Sequence, residues 1–164
     1  MDEAERRGPV VSNTSPLISL AAVGYLDLLH ELYGEIVVPA TVLGEYEAGR
    51  QAHEPVLEDL DWIRVVLSPP DAALPENLDP GEAAAIAMAR ALDARVVLLD
   101  EQLGRRVANE LELPVVGTLA TLLRAKAAGR LRMVEPVLDA MIERGMWVSN
   151  RLRAEILIAA GEDT

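Results

Sequence analysis

The sequence predicts an α/β fold with a central parallel sheet, and two observations carry that reading. Short apolar, largely β-branched runs recur at 10–12, 36–38, 62–66, 96–99 and 115–116, and the stretches between them space their apolar residues as helices do. Strands separated by helices are joined by crossovers, so they pair in parallel. The run Val96, Val97, Leu98, Leu99 has no polar residue on either side of its pleat, as in a strand buried on both faces.

Taken in order, the first strand ends at Asn13. Ser15 as cap and Pro16 at the first helical position open a helix. It pauses at Gly24, and a second helix over 25–33 stops at Gly34. After the strand at 36–38, Pro39 begins a helix with Val42, Leu43 and Tyr46 on one side and Glu45 about a turn and a half from its start. Residues 50–60 are expected to continue as helix before the strand at 62–66. Residues 68–78, with Pro69, Pro70 and Pro75, read as linker. Beyond Asp100 come a helix over about 101–112, the last strand at 115–116, and a helix over 118–128 ended by Gly129. Two amphipathic helices follow, 134–144 and 149–160, the latter capped by Ser149. One domain over 1–164 is expected, with a core at about 9–132 and a C-terminal helical pair at about 133–160.

The stretch from Asp79 to Arg106 organises the rest. Asp79 suits an N-cap, Pro80 the first helical position and Glu82 the third, so a helix should run from here to about Leu92. That helix travels about 15 Å and the strand up to Asp100 about 13 Å in the opposite direction. Glu82 and Asp100 therefore return to one edge of the sheet. It is the carboxyl edge, where open α/β sheets place their ligands.

The core must be built from Ala, Leu, Val and Ile, because 51% of the 164 residues are hydrophobic yet Phe is absent. No run approaches the roughly 18 apolar residues of a membrane span. The opening MDEAERRG is too charged for a signal peptide, so a cytoplasmic protein without membrane attachment is expected. Without cysteine, disulfides, thiolate catalysis and Cys-ligated zinc are excluded. The formal charge of −12 opposes tight nonspecific binding to nucleic acid but leaves room for a local basic strip. Arg105, Arg106, Arg124, Arg130 and Arg132 are its candidates; they are either solvated helix surface or contacts to a phosphate-bearing ligand.

Four groups can converge on the carboxyl edge: Asn13, Glu45, Glu82 and Asp100. Singly, each has an ordinary explanation: Glu82 a capping box with Asp79, Asp100 the cap of the following helix, Glu45 an exposed helical carboxylate. Together, three carboxylates repel and raise one another's pKa unless a cation neutralises them. An all-oxygen set points to Mg²⁺ or Mn²⁺. The chemistry that most needs such a set is phosphodiester hydrolysis, in which one or two metals activate water and stabilise the leaving oxygen.

The motifs SNTSPL (12–17), VPATVLGEY (38–46), LDPGEAAAIAMA (78–89) and VVLLDEQLGRRVANELELPVVGTL (96–119), in this order, resemble the PIN-domain ribonucleases. The likeness is to a prokaryotic branch, DUF3368, whose members resemble the toxin halves of toxin–antitoxin pairs, and it covers about residues 9–158. It implies a three-layer α/β/α sandwich with a central parallel sheet and a Mg²⁺- or Mn²⁺-dependent ribonuclease centre. Carried over by position, the metal-binding quartet falls on Asn13, Glu45, Glu82 and Asp100, with the three carboxylates catalytic. Thr14, Ser15, Glu101 and Arg105 match positions that would touch substrate. The partners implied are an RNA substrate and an antitoxin-like protein. Asn13 departs from the family, which usually has a metal-binding Asp there; an amide oxygen ligates a hard cation but brings no charge.

The leading expectation is therefore a metal-dependent endoribonuclease. The alternative is a catalytically weak or silent PIN-like module that binds RNA or protein, favoured by Asn13 and the acidic charge. A dehalogenase-like phosphatase would need an Asp nucleophile after the first strand, and a receiver domain a lysine at the end of a late strand; the chain's one lysine, Lys126, falls in a helix. Aliphatic helices in the first half offer apolar area for a homo-oligomer.

Overall fold

The computed structural model describes residues 7–163. The expectation drawn from the charged first residues falls largely on 1–6, outside the described part. Five parallel strands, β1 (Val10–Ser12), β2 (Ile36–Pro39), β3 (Ile63–Val66), β4 (Val96–Leu98) and β5 (Val115–Val116), form one sheet in the order β3-β2-β1-β4-β5. The chain first builds outward from β1 through β2 to β3, then returns to the other side of β1 with β4 and β5. The order thus reverses between β1 and β4, where the connections leave in opposite directions and open a crevice at the carboxyl edge.

Among the described residues, eight α-helices cover the sheet: α1 (Thr14–Ala22), α2 (Asp27–Tyr33), α3 (Ala40–Gly49), α4 (Pro80–Leu92), α5 (Gln102–Glu110), α6 (Thr118–Ala127), α7 (Glu135–Glu143) and α8 (Asn150–Ala159). Alternate strand residues feed opposite faces, as the two-residue period of a strand requires. Val10, Ile36, Val38, Val96 and Leu98 pack with residues of α1, α2, α6 and α7 and with Leu157 of α8. Val11, Val37 and Val97 pack with Ile86, Met88 and Ala89 of α4 and Val107 and Ala108 of α5. This is the parallel sheet that the alternating pattern predicts, within the three-layer α/β/α sandwich that the resemblance implies.

Most element boundaries agree with expectation to within two residues, and the exceptions have local causes. The helix expected over 50–60 is absent: α3 ends at Gly49, and only a single 3-10 turn forms at Leu57–Asp59. Pro55 has no N–H to donate and disfavours helical backbone in the residue before it. Glu54 instead accepts the N–H of Gln51 at 2.6 Å, and the Tyr46 hydroxyl donates to the Pro55 carbonyl at 2.7 Å, so side chains fold this segment as a loop. The first helix begins at Thr14 rather than after Ser15, with Asn13 in the cap position. Ser15 does not cap it; its hydroxyl is used elsewhere.

Candidate active site

Asn13 stands at the reversal point. Ser12 pairs with Leu98, and the Asn13 N–H donates to the Leu98 carbonyl at 2.9 Å, extending the β1–β4 ladder by one bond before the two chains part. The Asn13 side chain is only 2% exposed. Its Nδ2 donates to Glu101 Oε2 at 3.2 Å, and the Ser15 hydroxyl donates to the other Glu101 oxygen. Asn13 Oδ1 is buried with no donor facing it.

Glu82 reaches the same crevice from α4. Asp79 accepts the Glu82 N–H at 2.7 Å, which fixes the helix start as predicted. The Glu82 side chain is 5% exposed, and its Oε2 has no donor. Burial is the main reason its pKa is pushed up to about 7; the neighbouring Asp79 carboxyl adds to this, followed by the charges of Glu101 and Glu45. A capping box alone does not explain such a side chain.

Glu45 accepts the Thr14 hydroxyl at 2.5 Å, which ties α3 to the start of α1. Its carboxylate lies against Gly81, where a Cβ would stand 2.5 Å from Oε2. Glu82 lies likewise against Gly104, where a Cβ would stand 2.7 Å from Oε2. Both glycines lie within helices, where glycine is disfavoured by about 1 kcal/mol relative to alanine. The reason for them here is close approach: each leaves room for a carboxylate.

Asp100 follows β4 at the same edge, but its side chain is held differently from the other three. Oδ1 accepts the Thr118 N–H at 2.7 Å and Oδ2 accepts the Thr118 hydroxyl at 2.6 Å. It thus caps α6, whose own cap residue Gly117 has no side chain, and not α5 as its sequence position suggests. Burial pushes its pKa above the usual carboxylate range; the two Thr118 bonds pull it back, Glu101 adds to the rise, and Arg105 offsets it. Among the described residues, no three His, Cys, Asp or Glu side chains stand in a ligating arrangement. The structure therefore joins Asn13 and Ser15 to Glu101, joins Thr14 to Glu45, and puts Glu82 under the charge of both acids. The Asp100 carboxylate is bound to Thr118 instead. Thr118, Gly81 and Gly104 were not singled out from the sequence; for the glycines the available signal was their placement inside helical patterns.

A groove of about 920 Å³ continues from Asp100 along α5, lined by Gln102, Leu103, Arg105, Arg106, Asn109 and Glu110. Arg124, Arg130 and Arg132, the other basic candidates, do not line it.

The sequence model of the DUF3368 family, a PIN domain, matches residues 9–162. The chain belongs to this PIN-domain family. No curated protein matches the chain. Membership accounts for the nuclease-like architecture of the sheet and its two helical layers. PIN domains generally use divalent metals, and the donor set here fits one. All the groups are oxygen donors, and the two without partners, Asn13 Oδ1 and Glu82 Oε2, are buried acceptors that only a proton, a donor or a cation can satisfy. No helix among the described residues is long and apolar enough to cross a membrane.

Proposed function

We propose that this PIN-domain protein is a Mg²⁺- or Mn²⁺-dependent endoribonuclease. The observation that supports it most is the pair of buried acceptors without donors, Asn13 Oδ1 and Glu82 Oε2, in a crevice already crowded with carboxylates. Asn13 and Glu82 would hold the ion, with Glu45 as a further acidic ligand. Asp100 would complete the set from the side: the Thr118 bonds leave each of its oxygens a second lone pair and fix its direction, as hydrogen-bonded ligands are commonly fixed. The ion would supply a water of lowered pKa and charge stabilisation for the leaving oxygen. Arg105 and Arg106, in the groove beside Asp100, would meet the phosphates of a single RNA strand. Thr14 and Ser15 would act through the carboxylates that they bind.

A toxin-like role follows from the same reading, with a cytoplasmic location and a protein partner that closes the crevice. Self-association through helical surfaces of the first half, where Ile18 and Tyr25 are exposed, is proposed as well; light scattering showing a monomer at high concentration would remove it. A silent RNA- or protein-binding module is the second reading, favoured by the uncharged Asn13 and by the engagement of Asp100 with Thr118. Incubating single-stranded RNA with the protein in Mn²⁺, in Mg²⁺ and in a chelator separates the two. The nuclease reading expects cleavage that needs the metal and is lost in Glu82→Gln. No cleavage under any condition, or cleavage indifferent to chelation, supports the silent module or a contaminant instead.

A further inference from the structure

Glu101 is the first residue before α5 and occupies its cap position, yet its side chain makes no bond to that helix. It reaches across the point where the strand order reverses, and both its oxygens are held by the start of α1, through Asn13 Nδ2 and the Ser15 hydroxyl. We infer that Glu101 is a positioning residue that fixes the Asn13 amide with its oxygen toward the crevice and supplies, from behind that amide, the negative charge Asn13 lacks. The inference rests on the metal-dependent reading above.

The geometry leaves the amide one orientation. Turned over, it would set Oδ1 against Glu101 Oε2 at about the 3.2 Å now spanned by a hydrogen bond. Acceptor would then face acceptor with no water to separate them, since Asn13 is only 2% exposed. With the N–H side claimed by Glu101, the oxygen is left free of donors, as observed. The charge of Glu101 is also felt at Glu82, the other group proposed above to hold the ion. Asn13 and Glu101 thus behave as one donor–acceptor pair carrying a single negative charge, and that charge can be placed on either member. An Asp at 13 facing a Gln at 101 would keep the bond, with the donor on the other side.

The test uses the full chain and four proteins: wild type, Asn13→Asp, Glu101→Gln and the double substitution. Thermal melts without divalent cation report the pairing, and calorimetric Mn²⁺ titration reports the cation. Asn13→Asp alone should lower the melting temperature because two carboxylates then face each other, and adding Glu101→Gln should restore it. Glu101→Gln alone should stay folded and weaken Mn²⁺ binding by about tenfold to a hundredfold, the usual effect of removing a ligand's supporting partner; the double substitution should bind within a few-fold of wild type. A melting loss in Asn13→Asp that persists in the double substitution overturns the pairing. Unchanged Mn²⁺ affinity in Glu101→Gln overturns its effect on the cation. A wild type that binds no Mn²⁺ removes the metal-dependent reading and the cation half of this inference, while the melts still decide the pairing.

Discussion

Thr118 binds Asp100 twice, through its backbone N–H at 2.7 Å and its hydroxyl at 2.6 Å, and so joins the end of β4 to the start of α6. Thr118→Val keeps the first bond and the side-chain shape but removes the second. A buried acceptor left short of a donor costs about 1–3 kcal/mol, so the unfolding free energy measured in denaturant should fall by that amount. The Asp100 pKa should rise further, since the hydroxyl bond is one of the forces holding it down; NMR titration of the Asp100 carboxyl reads this directly. Thr118→Ser should restore both quantities, and a Val variant as stable as wild type would show that the bond contributes nothing.

Glu82 makes the stability without divalent cation depend on pH. Its folded pKa of about 7 lies above the ordinary 4.5, so the folded state holds this proton more tightly than the unfolded chain. Stability is then fullest below about pH 4.5 and declines as pH rises through 7. Since a tenfold difference in proton affinity corresponds to about 1.4 kcal/mol, the decline is on the order of 3–4 kcal/mol for this one group. Asp100, also raised, contributes in the same direction. Melts across pH 4.5–8 should show the decline, and Glu82→Gln should flatten it near neutrality. Mn²⁺ affinity should run the other way, rising with pH toward 7, because the ion displaces the proton.

Gly104 and Gly81 separate stability from function. Alanine at an ordinary helical position gains about 1 kcal/mol over glycine. Here the new Cβ would stand 2.7 Å from Glu82 Oε2 or 2.5 Å from Glu45 Oε2, and the carboxylate must move to admit it. Gly104→Ala and Gly81→Ala should therefore melt near the wild-type temperature while losing tenfold or more in Mn²⁺ affinity. Melting temperature and affinity that fall together would point to a general packing defect instead.

The sheet and most helices were legible because their signals are local: apolar runs for the strands, Asp79 and Pro80 for the start of α4, Ser149 for α8. The bend after Gly49 depended on Pro55 outweighing a continuing helical pattern, and the side chains of Glu54 and Tyr46 complete it. At the candidate site, the placing of Asn13, Glu45, Glu82 and Asp100 at one edge followed from motif order and from the opposed lengths of helix and strand. What each carboxylate binds did not follow, because the partners come from distant segments: Thr118 for Asp100, Thr14 for Glu45, Asn13 and Ser15 for Glu101. Glu101 is the clearest case: its position before a helix does not reveal its partners, and only the strand reversal brings it to Asn13 and Ser15.

The most direct measurement of the central claim is anomalous diffraction from crystals soaked in Mn²⁺ at pH 7.5 to 8, above the Glu82 pKa of about 7. The account predicts one dominant anomalous peak in the crevice within coordination distance, about 2.0–2.4 Å, of Asn13 Oδ1 and Glu82 Oε2, absent in Glu82→Gln crystals. A fully soaked crystal with no peak there, or with its main peak at another cluster of acids, would contradict it.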